Sequence, residues 1–246
     1  MQPDVESEPM TWSIIARDRQ TGQLGIAVAT RFFAVGARVP FIAAGVGAIA
    51  TQAFVNPYFG IDGLALLRQG RSPADILDIL KSTDASHAHR QVHLMDAAGR
   101  IGCYTGEACI DWCGHVAGDG FSIAGNMLAG AGVLDETAAA YNANEALPFA
   151  RRLIAAMRAG EAAGGDKRGR QSAALLIHGN DEWSALDLRV DDHADPLGEL
   201  ERLEDVSRSH WVHFRDFMPT RANPAGNVDR VAIDNAILGA RRDETT

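Results

Sequence analysis

The sequence predicts an α+β protein built as a four-layer αββα sandwich, two antiparallel sheets face to face with helices on both outer sides. Three observations predict it. Apolar residues make up 46% of 246, enough for one substantial core. Strand-like and helix-like segments follow in the order strands, helices, strands, helices, strands, which buries every apolar face if the sheets pack on each other. The strand-like runs also come in pairs around short polar turns, the mark of antiparallel pairing.

In chain order, WSIIAR (12–17) and LGIAVAT (24–30) flank the polar connector 18–23 and read as a hairpin. After a loop over 31–40, the small-residue run GVGAIATQAF (45–54) reads as a strand. The turn signal Asn56-Pro57 then precedes a helix over 61–69, ended by Gly70. Ser72-Pro73 supplies an N-cap and first helical position for the next helix, whose apolar residues recur at 76, 77, 79 and 80. RQVHLMD (90–96), RIGCYTG (100–106) and the short strands through 128 form a second set. Helices are expected over 134–143 and 147–159, where Leu147, Ala150, Leu153, Ile154 and Met157 share a face. A glycine-rich loop (160–171) leads to the hairpin SAALLIHG and SALDLRV, and a last helix starts at Asp195-Pro196. Residues 1–10 read as a disordered leader or overlong start, 11–205 as the folded domain, and 206–246 as a polar tail, docked or mobile.

Thirty-two acidic residues against 23 basic ones give a net charge of −9, which argues against nucleic acid or an anionic membrane as partner. A small molecule is the expected partner, and the apolar content allows a homo-oligomer. No apolar run approaches the roughly 18 residues of a membrane span, and the acidic start lacks the order of a secretory signal, so a cytoplasmic protein is expected. Three cysteines, Cys103, Cys109 and Cys113, fit reduced thiols rather than a disulfide framework.

The chemistry-bearing candidates begin at Met10-Thr11. Removal of an initiating Met10 would give Thr11 a free α-amine, a base of pKa about 7.7–8.0 beside its own hydroxyl. Gly47, Thr51 and Gln52 lie on a strand whose small residues let backbone approach a substrate, with N–H and side-chain donors for an oxyanion. Asn126 sits in GNMLAG between a strand and a helix, where it would hydrogen-bond substrate or the threonine amine. Asp166 and Arg168 lie in a charged, glycine-rich loop that lacks the P-loop pattern. Arg31 and Arg38 follow the second strand, where a cation would lower the pKa of the amine. His87, His89 and His93, the run Asp191-Asp192-His193, and the cysteines with His115 lack zinc-ligand spacing, so no metal and no cofactor is expected. No G-x-S-x-G elbow appears.

The strings TWSIIARD (from Thr11), GVGAIATQAFVNPYFG, GNMLAG, GGDKRGRQSAAL and DLRVDDHADP resemble an uncharacterised bacterial family, domain of unknown function 1028, regarded as Ntn-hydrolase-like. The resemblance spans 11–205 and implies an Ntn-hydrolase-like αββα fold with no assigned reaction. A more distant similarity, to the threonine-dependent β subunits of proteasomes, implies that Thr11 is the nucleophile and that Asp166 orients its amine. It also places Asn126 where that family has a serine. Two features depart from the pattern: Thr30-Arg31 stands where the acid after the second strand belongs, and the lysine has no counterpart, Arg38 being the nearest cation. The expected activity is cleavage of a small amide or acyl-amino compound at its C–N bond. The alternatives are a non-catalytic ligand-binding or scaffolding protein on the same fold, and a thiol enzyme using Cys109.

Overall fold

The first strand, β1 (Thr11–Arg17), runs antiparallel to β2 (Leu24–Thr30) on one side and to β8 (Phe121–Leu128) on the other. The structure is a computed structural model that describes residues 11–243, so the expected leader and Met10 lie outside the described residues. With β7 (Trp112–Gly118), β9 (Ser172–His178) and β10 (Ser184–Val190), these strands form a six-stranded sheet in the order β10-β9-β2-β1-β8-β7. A second sheet takes the order β3-β4-β5-β6, from Pro40–Ala43, Gly47–Ala53, Arg90–Asp96 and Ile101–Thr105. Both sheets are antiparallel at every recorded pairing.

The sheets divide the helices between them. α1 (Pro57–Arg68) packs on β4 and β3, and α2 (Pro73–Thr83) on β6 and β5. α3 (Gly132–Ala143) and α4 (Phe149–Ala162) pack on each other and on the six-stranded sheet. Strand alternation sorts the side chains by layer. Ile15, Ile26, Val28, Ala48, Ala50 and Met95 meet between the sheets, while Ile49, Phe59, Ile76, Leu80 and Leu94 form the core under α1 and α2. Each of the buried Ile, Val, Leu, Met and Phe side chains contributes roughly 1.5–3 kcal/mol of transfer free energy. The mixed α/β class and the paired antiparallel sheets thus match the sequence expectation.

The differences are local. Asn56-Pro57 is the start of α1 rather than a turn ahead of it: Asn56 accepts from the Tyr58 N–H at 3.1 Å, and Pro57 occupies the first turn, where no N–H is needed. The loop before residue 40 ends in the short edge strand β3, where Pro40 costs no ladder bond. The chain resolves into two units, the first up to Leu200 and the second from Glu201. That boundary precedes the expected 205, and the expected polar tail contains helix α6 (Trp211–Phe214) and helix α7 (Arg230–Asp243). The last predicted helix is α5 (Pro196–Ser209), which starts where Asp195-Pro196 places it. Among the described residues, no helix is long and apolar enough to cross a membrane.

Candidate functional site

Thr11 is buried at the head of β1, directly opposite Thr30 in β2 and Asn126 in β8. Directly opposed residues share a face, and Ser13, two positions along β1, reaches across to Gln52 and His93 of the other sheet. Thr11, Thr30 and Asn126 therefore all face the space between the sheets. The Thr11 hydroxyl donates to Thr30 Oγ1 at 3.3 Å. The Thr11 carbonyl accepts from Gln52 Nε2 and Asn126 Nδ2, each at 3.3 Å.

That carbonyl settles the sense of a long buried chain of hydrogen bonds. It can only accept, so Gln52 must turn its nitrogen towards Thr11 and its oxygen towards Ser13. Ser13 then donates to Gln52 Oε1 at 2.6 Å, and His93 Nε2–H must donate to Ser13 Oγ at 2.8 Å. His93 Nδ1 is left as an acceptor for the Ser122 hydroxyl at 2.9 Å, and Cys103 Sγ donates to Ser122 at 3.3 Å. Gln91 ties in a branch: its oxygen accepts from Gln52 Nε2 at 2.8 Å and Asn126 Nδ2 at 3.0 Å, and its nitrogen donates to the Gly125 carbonyl at 2.8 Å. Burial, with a smaller contribution from His115, pushes the His93 pKa down to about 3, so the ring is neutral, as the two hydroxyl partners require. Burial raises the Cys103 thiol, making it a poor source of thiolate.

Asp166 stands at the same end of the six-stranded sheet, bridged to Leu128 at the end of β8. Its wholly buried carboxylate accepts from the Arg31 N–H at 2.7 Å and the Arg168 N–H at 2.9 Å, and pairs with the Arg168 guanidinium at 3.1 Å. Arg31 Nη1 donates to the Arg168 carbonyl at 2.6 Å, so the glycine-rich loop closes on the residue that follows Thr30. Thr11, Asn126, Asp166, Arg31, Arg168 and Gln52 are thus brought to one end of the two sheets. Among the contacts recorded for Asp166, its partners are Arg31 and Arg168, one strand away from Thr11.

Gly47 and Thr51 are not brought there. Gly47 opens β4 about 16 Å from Gln52, at the strand rise of roughly 3.3 Å, and an added Cβ would press on Met95 and Leu67. It is a packing glycine under α1. Thr51 fails by parity: one residue from Gln52, its hydroxyl points to the outer face and donates to the Asn56 carbonyl at 3.2 Å. Its N–H is also committed, to the Val39 carbonyl at 3.2 Å. Arg38 is exposed in the loop before β3. Among the described residues, no three His, Cys, Asp or Glu side chains are placed to share an ion.

Sequence reasoning missed Ser13, Gln91 and Ser122, and weighed His93 only as a metal ligand. The signal was present, since Gln91 and His93 alternate with Val92 and Leu94 in a strand, but alternation alone reads as a solvated face. Here both faces of β5 are covered.

The fold and the site together define a mixed α/β protein with two antiparallel sheets, at one end of which a threonine-headed strand meets a buried amide, a buried carboxylate and an arginine. The chain belongs to DUF1028, a family of unknown function whose model matches residues 11–200. It is similar to a DUF1028 protein from Silicibacter pomeroyi solved as a crystal structure, with 33% identity and a TM-score of 0.84 over 90% of this chain and 96% of that one. No curated protein matches the chain.

Proposed function

We propose that this chain is an N-terminal-nucleophile amidohydrolase on an αββα, Ntn-hydrolase-like framework, with Thr11 as nucleophile once the residues before it are removed. The observation that carries the reading is the placement of Thr11. It heads β1 on the inter-sheet face, flanked by Thr30 and Asn126, where the family match also begins. In the reaction, the α-amine takes the hydroxyl proton as Thr11 Oγ bonds to the amide carbon. The C–N bond breaks, the amine passes that proton to the leaving nitrogen, and water then hydrolyses the ester to restore Thr11 and release the acid. Gln52 and Asn126 hold the Thr11 carbonyl and so orient the nucleophile. Asp166 acts one step removed, by fixing Arg31 beside Thr30.

Intact-mass measurement and N-terminal sequencing of the native protein test the premise, because a chain that keeps Met10 has no free amine to serve as base. A panel of small amides and acyl-amino compounds then tests the chemistry. Turnover retained by Thr11→Ser and lost in Thr11→Ala is the expected result; equal turnover by Thr11→Ala ends the proposal. One observation favours the second reading, a ligand-binding scaffold: Thr30 offers a hydroxyl where an activating acid would stand, and Asp166 is paired with Arg168. Binding without turnover in the same panel would support it.

A further inference from the structure

The second unit, from Glu201 on, carries a groove with about 500 Å³ of space, walled by Phe214, Phe217 and Met218 and by Val228, Ile233 and Ile237. Hydrogen bonds fix its shape. Asn227 N–H donates to the Phe217 carbonyl at 2.9 Å, Thr220 N–H to the Asn223 carbonyl at 3.0 Å, and Asn223 Nδ2 to the Gly226 carbonyl at 3.1 Å. Gly226 turns the chain at φ 63°, where a side chain would collide with the Phe217 carbonyl. α7 then starts from an N-cap, since Asp229 Oδ1 accepts from the Val231 and Ala232 N–H groups at 3.0 and 3.1 Å.

This unit lacks a core of its own. Among the described residues after Leu200, Ile237 is the only large apolar side chain that is buried. A unit of this size leaves too much apolar surface in water unless something else covers it. α7 presents two apolar stripes. Ile233 and Ile237, one turn apart, line the groove, while Val231 and Leu238, 69% and 51% exposed, share the adjoining face with Asn235 between them. Val228, Val231, Asn235 and Leu238 follow the three-and-four spacing of a seam that pairs with another helix, in which a single Asn sets register. Arg230 and Asp234 also line the groove, exposed and one turn apart, and neither has an ion-pair partner among the described residues.

We infer that this groove is a self-association surface, occupied by α7 of a second copy of this chain in an antiparallel, two-fold pair. A helix with an unpaired cation and an unpaired anion one turn apart is complementary to itself run in the opposite direction. The two-fold axis sets each Arg230 against Asp234 of the other copy, and each Val231–Leu238 stripe over the other groove. A small apolar ligand would fill the groove yet leave that stripe in water and both charges unmet. A second copy answers all three. The pair forms whether or not Thr11 reacts.

Sedimentation velocity of the full chain, from micromolar to millimolar concentration, reads the mass directly. The wild-type chain should pass from monomer to dimer. Arg230→Asp and Asp234→Arg should each weaken association about tenfold, because like charges then face each other across the axis. Mixing the two variants sets unlike charges together again and should restore association as a heterodimer. Both positions are exposed, so circular dichroism should show unchanged helix content. Should a charge variant lose helix, Val231→Ser removes part of the exposed stripe, leaves the groove side of α7 intact and should weaken association likewise. A wild-type chain that stays monomeric throughout overturns the inference; that outcome is expected if the first unit of the same chain, or a different partner, covers the groove. Single variants that dimerise as well as wild type, or a mixture that stays monomeric, overturn it too. None of these readouts depends on turnover, so they are separable from failure of the Thr11 mechanism.

Discussion

Ser13 and His93 lie 80 residues apart in the chain and meet across the two sheets at 2.8 Å, both fully buried. The serine hydroxyl sits between an imidazole N–H and an amide oxygen and satisfies both. Replacing Ser13 by alanine strands two buried partners at once, so the unfolding free energy should fall by roughly 2–6 kcal/mol, at about 1–3 kcal/mol for each buried group left unsatisfied. Chemical denaturation of Ser13→Ala checks it, with Ser13→Thr, which keeps the hydroxyl, as the control.

The pH dependence follows from the same histidine. Its pKa is about 3 in the folded protein against 6.5 for an unperturbed ring, so between those values the unfolded chain binds more protons than the folded one. Stability from this group is complete above pH 6.5 and declines as pH falls towards 3, with a slope of about 1.4 kcal/mol per unit. Urea midpoints measured across that window should show the slope in the wild-type chain and lose it in His93→Gln.

Asp166 is a wholly buried carboxylate paired with an Arg168 side chain that is 16% exposed. In Asp166→Asn the guanidinium keeps its place and loses its counter-charge, which should cost about 3 kcal/mol. Because Asp166 holds Arg31 and the glycine-rich loop, amide exchange at Arg31 and Arg168 should quicken in this variant, while the α1–α2 layer keeps its protection.

Gly160 of α4 lies tight against α3: an added methyl would overlap Thr137 Oγ1 and crowd the Val133 carbonyl and Trp12. Gly160→Ala should lower stability by about 1–3 kcal/mol despite alanine's better helix propensity. A thermal melt decides whether packing or propensity wins.

The mixed α/β class, the order of strands and helices and the main hairpins were legible because they depend on short-range patterns: polar turns between apolar runs, Ser72-Pro73 at a helix start, and the face shared by Leu153, Ile154 and Met157. Thr11, Asn126 and Asp166 were legible as a set only through the family strings, since β1, β8 and the glycine-rich loop meet through sheet pairing that no local signal encodes. Gly47 and Thr51 went astray for a simpler reason. Composition marked the whole strand as permissive, but strand parity gives the inter-sheet face to Gln52 and the opposite face to its neighbour. The Ser13–His93 chain stayed hidden because a polar residue in a strand is ordinarily solvated, and only the second sheet makes it interior.

Because the Thr11 carbonyl can only accept, every donor back to Cys103 is oriented by the group it serves, and the series behaves as a sentence with a single grammatical direction. A change at Ser122 removes the donor that holds His93 Nδ1 as an acceptor, and so weakens the tautomer in which Nε2–H serves Ser13, although Ser122 pairs with Ile15, four residues along β1 from Thr11. Substitutions along the series should therefore be tolerated together or not at all, and double variants such as Ser13→Ala with Ser122→Ala should depart from additivity.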